Sequence, residues 1–220
     1  MTKKKKIYPD SAVELPGFLE RNYDCITNIG TLGLYRGFIK RGIQHMDIQS
    51  TDHILDLGCG TGLNDKLMCN YLGEEGHITG LDISEQMQKQ FHRNLKNSEC
   101  AECIEQRIDI PFDLQKSYDK LFVCFVIHGF PQEIRRVVIQ NAYNHLKPGG
   151  KFFILDYAEF EMDAMPWLYR RFFKLIECKY AFDFIKRDWK AILQECGFGS
   201  FEETFFIRQY VRLLAAKKNG

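Results

Sequence analysis

Residues 53–62 read HILDLGCGTG. An apolar run ends in an acidic position, and three glycines follow at alternate places. Glycine loses more conformational freedom on folding than any other residue. A cluster of it marks backbone that must turn with positive φ or approach something closely. A buried strand, then such a turn, then apolar residues at helical spacing (Leu63, Leu67, Met68, Tyr71, Leu72) is the pattern of a nucleotide-binding α/β turn. In this reading Gly58 permits the tight turn, Gly60 lets backbone approach a ligand, and Gly62 lets the helix start against the sheet. The spacing G-C-G-T-G is not the dinucleotide fingerprint G-x-G-x-x-G, which disfavours a nicotinamide oxidoreductase.

The alternation continues. HITGLDI is a second strand, and Asp82 near its end can accept both hydrogen bonds of a ribose diol. SEQMQKQFHRNLKN opens on Ser84 as an N-cap, with Met87, Phe91 and Leu95 at helical spacing. ECIEQRI reads as a third strand. DKLFVCFVI is a fourth, apolar almost throughout, as for a central parallel strand covered on both faces. QEIRRVVIQNAYNHL is a helix stopped by KPGG, and KFFILDY is a fifth strand. MPWLYRRFFKLIECKY and RDWKAILQECGF read as helices. SFEETFFIRQYVRLLAAKK leaves too little room for a crossover helix between two β-rich runs, so an antiparallel pair should finish the sheet. The expected fold is α/β: a doubly wound, Rossmann-like, mainly parallel seven-stranded sheet with an antiparallel C-terminal hairpin and an N-terminal helical cap. One domain over residues 1–220 is expected, with a disordered charged tail at 1–10, the cap at 15–46 and the core at 50–217.

Composition excludes other classes. Lys and Arg total 30 against 29 Asp and Glu, so no general nucleic-acid footprint is present. No apolar run reaches the ~20 residues of a membrane-spanning helix. The basic start MTKKKKIYPD lacks the apolar core of a secretory signal. Eight cysteines, scattered through a chain with no such signal, read as reduced thiols in a cytoplasmic protein. The single C-x-x-C, Cys100 and Cys103, has no partner pair at zinc spacing, so no metal site is expected.

With these elements in place, ILDLGCGTG and GLDISEQM resemble the first two motifs of class I S-adenosylmethionine (SAM) methyltransferases. YDKLFVCFVIHGFP is similar to that family's fourth strand and following loop. AYNHLKPGGKFFILD is similar to its step into the fifth strand. The likeness covers roughly residues 50–217. It implies SAM as cofactor, with Asp56 near the methionyl amino group and Gly58, Cys59 and Gly60 along the methionyl and ribose portion. Thr61 would sit at the helix mouth and Asp82 on the ribose hydroxyls. Ile83 and Met87 would pack on adenine, and Asp109, with Ile110 beside it, would meet the adenine amino group.

Upstream, NYDCITNIGTLGLYRGF is similar to the N-terminal signature of UbiE-type methyltransferases. The likeness implies that Tyr23 closes over the methionyl end and that Arg36 anchors the cap. That branch methylates ring carbons of quinone precursors. The present chain departs from it where substrate is contacted, with VIHGFP after the fourth strand instead of G-x-R-N and LDYAEFE instead of EFS-x-P.

His128 follows the fourth strand, at the edge where ligands sit in such sheets, and Asp156 and Tyr157 end the fifth. These three are the candidates for chemistry: an imidazole suits a general base at neutral pH. The aromatic stretch MPWLYRRFFKLIEC could form a substrate lid. The expected activity is methyl transfer to a small, apolar acceptor, a quinone precursor first. A phospholipid amine or a thiol is an alternative acceptor, and a non-catalytic SAM-binding sensor or partner subunit is an alternative of another class. Lys3–Lys6 and Arg170-Arg171 leave open a peripheral contact with an anionic membrane. Oligomeric state is not legible.

Overall fold

The computed structural model describes Tyr8, Ser11 and residues 34–220. Its elements are α1 (Leu34–Gln44), β1 (His53–Leu57), α2 (Leu63–Met68), β2 (His77–Asp82), α3 (Glu85–Asn94), β3 (Ala101–Glu105) and β4 (Tyr118–Cys124). There follow α4 (Gln132–His145), β5 (Leu146–Tyr157), α5 (Trp167–Ile176), α6 (Lys179–Phe184), α7 (Trp189–Glu195), β6 (Phe198–Phe206) and β7 (Val211–Lys218). The seven strands form one sheet in the order β3-β2-β1-β4-β5-β7-β6. Pairings are parallel from β3 through β5 and antiparallel at β5–β7 and β7–β6. The terminal hairpin and the doubly wound sheet are therefore as the sequence implies.

Side chains on successive strand residues point to opposite faces, and here both faces are apolar. Leu55, Leu57, Leu121, Val123, Phe152, Ile154 and Leu214 share one core with Val138, Ile139 and Ala142 of α4 and Trp189 and Leu193 of α7. The residues between them, Ile54, Phe122, Phe153, Leu155 and Leu213, share a second core with Phe38, Ile39 and Ile43 of α1. The described part of the N-terminal cap is thus a helix laid on the sheet. The rest of the cap, residues 15–33, lies outside the described residues.

Four local expectations are revised. The fifth strand begins at Leu146, directly after α4. Its pairing with β4 shifts between Tyr118 and Lys120, so KPGG is absorbed as an irregularity and not as a separate turn. The third strand ends at Glu105; beyond it, the Asn141 side-chain amide of α4 donates to the carbonyls of Ile108 and Ile110 and draws that segment off the sheet. Tyr8, within the expected disordered tail, is docked: its ring stands edge-on to Phe130 at 5.6 Å, and Ser11 donates to the Gly129 carbonyl. Finally, the cysteines are not all reduced thiols. Cys69 and Cys100, whose Cα atoms are 6.1 Å apart, form a disulfide. The crossovers after α2 and before β3 bring them together, and the C-x-x-C is split, since Cys103 pairs with neither.

The glycine turn gives a stability test. A Cβ on Gly62 would lie 2.5 Å from Phe91 and 2.9 Å from Leu95 at a φ of +74°, whereas one on Gly60 would meet nothing within 4 Å. Gly62→Ala should cost about 2–4 kcal/mol from left-handed strain plus overpacking. Gly60→Ala should cost about 1–2 kcal/mol, from strain alone. Denaturant unfolding of the two variants checks this; equal losses would contradict the packing.

Candidate functional site

The turn after β1 is held from beneath. The Gly58 and Cys59 amides both donate to the Leu81 carbonyl of β2. Gly58, Gly60 and Gly62 all have positive φ, at 84°, 55° and 74°. A side chain at Gly58 would strike Val126 at 2.8 Å, so the turn lies directly against the loop after β4. Asp82 closes the arrangement. One carboxylate oxygen accepts from the Gly60 amide at 3.0 Å and the other from the Ser84 amide at 2.8 Å. Ser84 in turn caps α3 by accepting from the Met87 amide. Met87 is buried under this corner, while Ile83 and Ile110 are exposed apolar residues. Thr61 is buried, and its carbonyl accepts from Asn94.

Asp56 is buried, and beside it stands Asp65 of α2, also buried, a residue the sequence reading passed over. No donor from elsewhere among the described residues reaches their four carboxyl oxygens. Burial, followed by the charge of Asp65, holds Asp56 well above the usual carboxylate range, and burial raises Asp65 to about 7 against the lowering effect of a hydrogen bond with Asp56. Cys59 packs near them with its sulfur 3.5 Å from that of Cys103. Hydrogen bonding to Cys103 and burial push the Cys59 thiol up, so it is an inert neutral group. Asp65 shares a helix face with buried Met68, three residues on, and that spacing was its one sequence signal.

Asp109 is buried and already engaged. Arg107 grips it through both oxygens at 3.0 and 2.7 Å, and the Tyr8 hydroxyl donates at 2.8 Å. Burial works against its charge, but these donors outweigh it and hold its carboxyl below the ordinary range. Tyr23 and the side chain of Arg36 lie outside the described residues.

The three candidates for chemistry come together at the ends of β4 and β5. His128 Nδ1 sits 2.8 Å from Asp156, and its Nε2 is 3.4 Å from Glu177. The Tyr157 hydroxyl donates to the other oxygen of Glu177 at 2.6 Å. Burial disfavours a charged imidazole, yet Asp156 and then Glu177 more than compensate, and the His128 pKa is pushed up to about 10. At neutral pH the group is an imidazolium between two carboxylates, and it donates. Glu177 is held below its ordinary value: burial is outweighed by the bonds to His128 and Tyr157. Rings of Phe125, Tyr157 and Phe184 surround the imidazole, with Phe173 against Tyr157. Glu177 was invisible in the sequence because it arrives from the far end of α5. Arg135 was also missed. Fully buried, it donates to the carbonyls of His128 and Tyr180 and pairs with Asp183, fixing the His128 loop to α6. Its position three, four and seven residues before Val138, Ile139 and Ala142 on one helix face was readable.

Because the folded pKa of His128 exceeds the ordinary value, its stabilisation is complete below about pH 6.5. It is lost as pH rises through about 10. The melting-temperature gap between wild type and His128→Gln should therefore be largest at about pH 6 and shrink as pH rises toward 10. A gap independent of pH would mean that the imidazole is neutral.

Comparison with known proteins agrees with the fold. Residues 54–150 match the model of a methyltransferase domain. The demethylmenaquinone methyltransferase of Desulfitobacterium hafniense is 31% identical over 158 residues, covering 69% of this chain and 61% of that protein. The enzyme of the same name from Staphylococcus carnosus is 26% identical over 207 residues, covering 86% and 85%. The chain thus spans less than two thirds of the first of these relatives. Among solved structures, a SAM-dependent methyltransferase of Aquifex aeolicus superposes with a TM-score of 0.60 at 15% identity, covering 81% of this chain and 88% of that one. The SAM-dependent methyltransferase SibL gives 0.70 at 14% identity, covering 94% and 60%. With the strand order, the antiparallel last strand and the glycine turn, these likenesses establish the class I SAM-dependent methyltransferase fold.

Proposed function

We propose that this protein transfers a methyl group from SAM to a small apolar acceptor, with a demethylated quinone precursor the first candidate. The observation that carries the reading is the enclosed set His128, Asp156, Glu177 and Tyr157, ringed by aromatic side chains and set against the glycine turn. The relatives named above as demethylmenaquinone methyltransferases support the acceptor class.

The residues fit the cofactor on independent grounds. Two buried carboxyls without donors lie by the turn, where a cationic amino group would relieve them, and open space stands above Gly60. Asp56 would hold the methionyl amino group, with Gly58, Cys59, Gly60 and Thr61 along the chain toward the ribose. Asp82 would take the ribose hydroxyls, Ile83, Met87 and Ile110 the adenine faces, and Asp109 the adenine amino group. Tyr23 and Arg36 would close the cap. When bound, SAM supplies a methyl group activated on a sulfonium.

The rest is left to the protein: orientation, exclusion of water and removal of one proton. An acceptor carbon or oxygen loses a proton as it gains the methyl group. The cluster carries one imidazolium and two carboxylates, so it has net negative charge with which to receive it. The cluster receives the proton as a unit, with Glu177 bonded to Tyr157 and to charged His128, which Asp156 orients. The aromatic ring box keeps water out and matches an apolar ring.

Methyl-labelled SAM incubated with demethylated quinones, phospholipid amines and thiols, followed by mass spectrometry, tests the reading. Label on a ring carbon is expected. Label on nitrogen or sulfur would change the acceptor class, and tight SAM binding without transfer would favour a sensor. Glu177→Gln should lower turnover by about 10²–10⁴-fold with SAM affinity unchanged. Asp82→Ala should weaken SAM binding by about 1.5–3 kcal/mol in calorimetry. Unaltered affinity in that variant would remove the ribose assignment.

A further inference from the structure

Helix α5 has two unlike faces. Phe173 points inward and is buried, 5.0 Å from Tyr157 and 5.3 Å from Phe182 between ring centroids. On the outside, residues 167, 168, 171, 174 and 175 fall on one face at 3.6 residues per turn. Three of these are large and apolar: Trp167 is 69% exposed, Leu168 61% and Leu175 82%. The other two, Arg171 and Lys174, are exposed and form no ion pair among the described residues.

The turn between β6 and β7 meets the helix elsewhere: Arg208 lies over the Tyr169 ring at 5.5 Å, and Tyr169 is not part of that face.

We propose that the outer face of α5 forms a docking surface for an anionic lipid bilayer. Trp167, Leu168 and Leu175 enter the interfacial region, and Arg171 and Lys174 meet the headgroups. Apolar residues interleaved with cations are the composition of an interfacial helix. Charge argues against a second copy as the occupant: a two-fold contact would set these cations against their own equivalents. The helix that touches lipid by one face packs Phe173 of the other against Tyr157, and Glu177 directly follows its end. Lys3–Lys6, a further basic segment, lie outside the described residues.

Sedimentation with vesicles tests this independently of any methyl transfer. The full chain should bind equimolar phosphatidylcholine–phosphatidylglycerol vesicles and bind pure phosphatidylcholine far more weakly. Binding should collapse in about 1 M salt, where the Debye length is near 3 Å. Arg171→Glu with Lys174→Glu should weaken it by about 25-fold or more, from roughly fivefold per basic residue. Trp167→Gln with Leu175→Gln should abolish it; all four positions are exposed, so melting temperatures should not change. The sequence has two tryptophans, and Trp189 is buried on Phe184. A blue shift of emission on vesicle binding should therefore vanish in Trp167→Phe. Equal binding to neutral vesicles, or full binding by either double variant, would overturn the proposal. So would a solution dimer that Trp167→Gln dissociates while no vesicle is bound.

Discussion

Three residues reverse the sign of φ within five positions after β1, and a single carboxylate then ties the reversed loop to the next strand. Asp82 accepts from the amide of Gly60 on one side and of Ser84 on the other. That bridge sets where α3 begins and fixes the turn against β2, and through Gly58 the turn meets the loop that carries His128. A bulkier residue at Gly58 or Gly62 would collide with Val126 or Phe91, so the close approach of backbone to side chain is built into the sequence and does not depend on a ligand. The sheet behind it supplies the rigidity, with apolar side chains on both faces of β4 and β5 leaving their last residues as the natural place for polar groups.

The sequence was informative where structure is local. Period-two and period-3.6 patterns, the Ser84 cap and the glycine spacing all describe neighbours a few residues apart, and the strands and helices they implied are present. The misreadings were of two kinds. KPGG ends many helices, yet here the chain passes straight from α4 into β5, because pairing of Leu146 with Tyr118 competes successfully with a separate turn. The disulfide between Cys69 and Cys100 joins residues from two crossovers, a meeting that no spacing rule encodes.

The candidate site shows the same division. His128, Asp156 and Tyr157 were legible because each sits at the end of an apolar strand. Glu177 was not, since it reaches His128 only through the fold of α5 over the sheet edge. Asp65 and Arg135 occupy an intermediate position: each is a charged residue on the buried face of a helix, and periodicity alone marks both as out of place. What periodicity could not supply is the partner. Arg135 finds carbonyls and Asp183, whereas Asp65 finds only another carboxyl.

That last difference bears on how long the molecule survives. Two acids buried side by side weaken a fold, because burial opposes whatever charge they carry. Anything that brings positive charge to the turn relieves them, so occupancy and resistance to unfolding rise together. The population of this protein would then follow the supply of its ligand, with unliganded copies the first to open to proteolysis. A buried acid pair inside the fold would thus serve as a form of quality control, tying the abundance of the protein to the availability of what it binds.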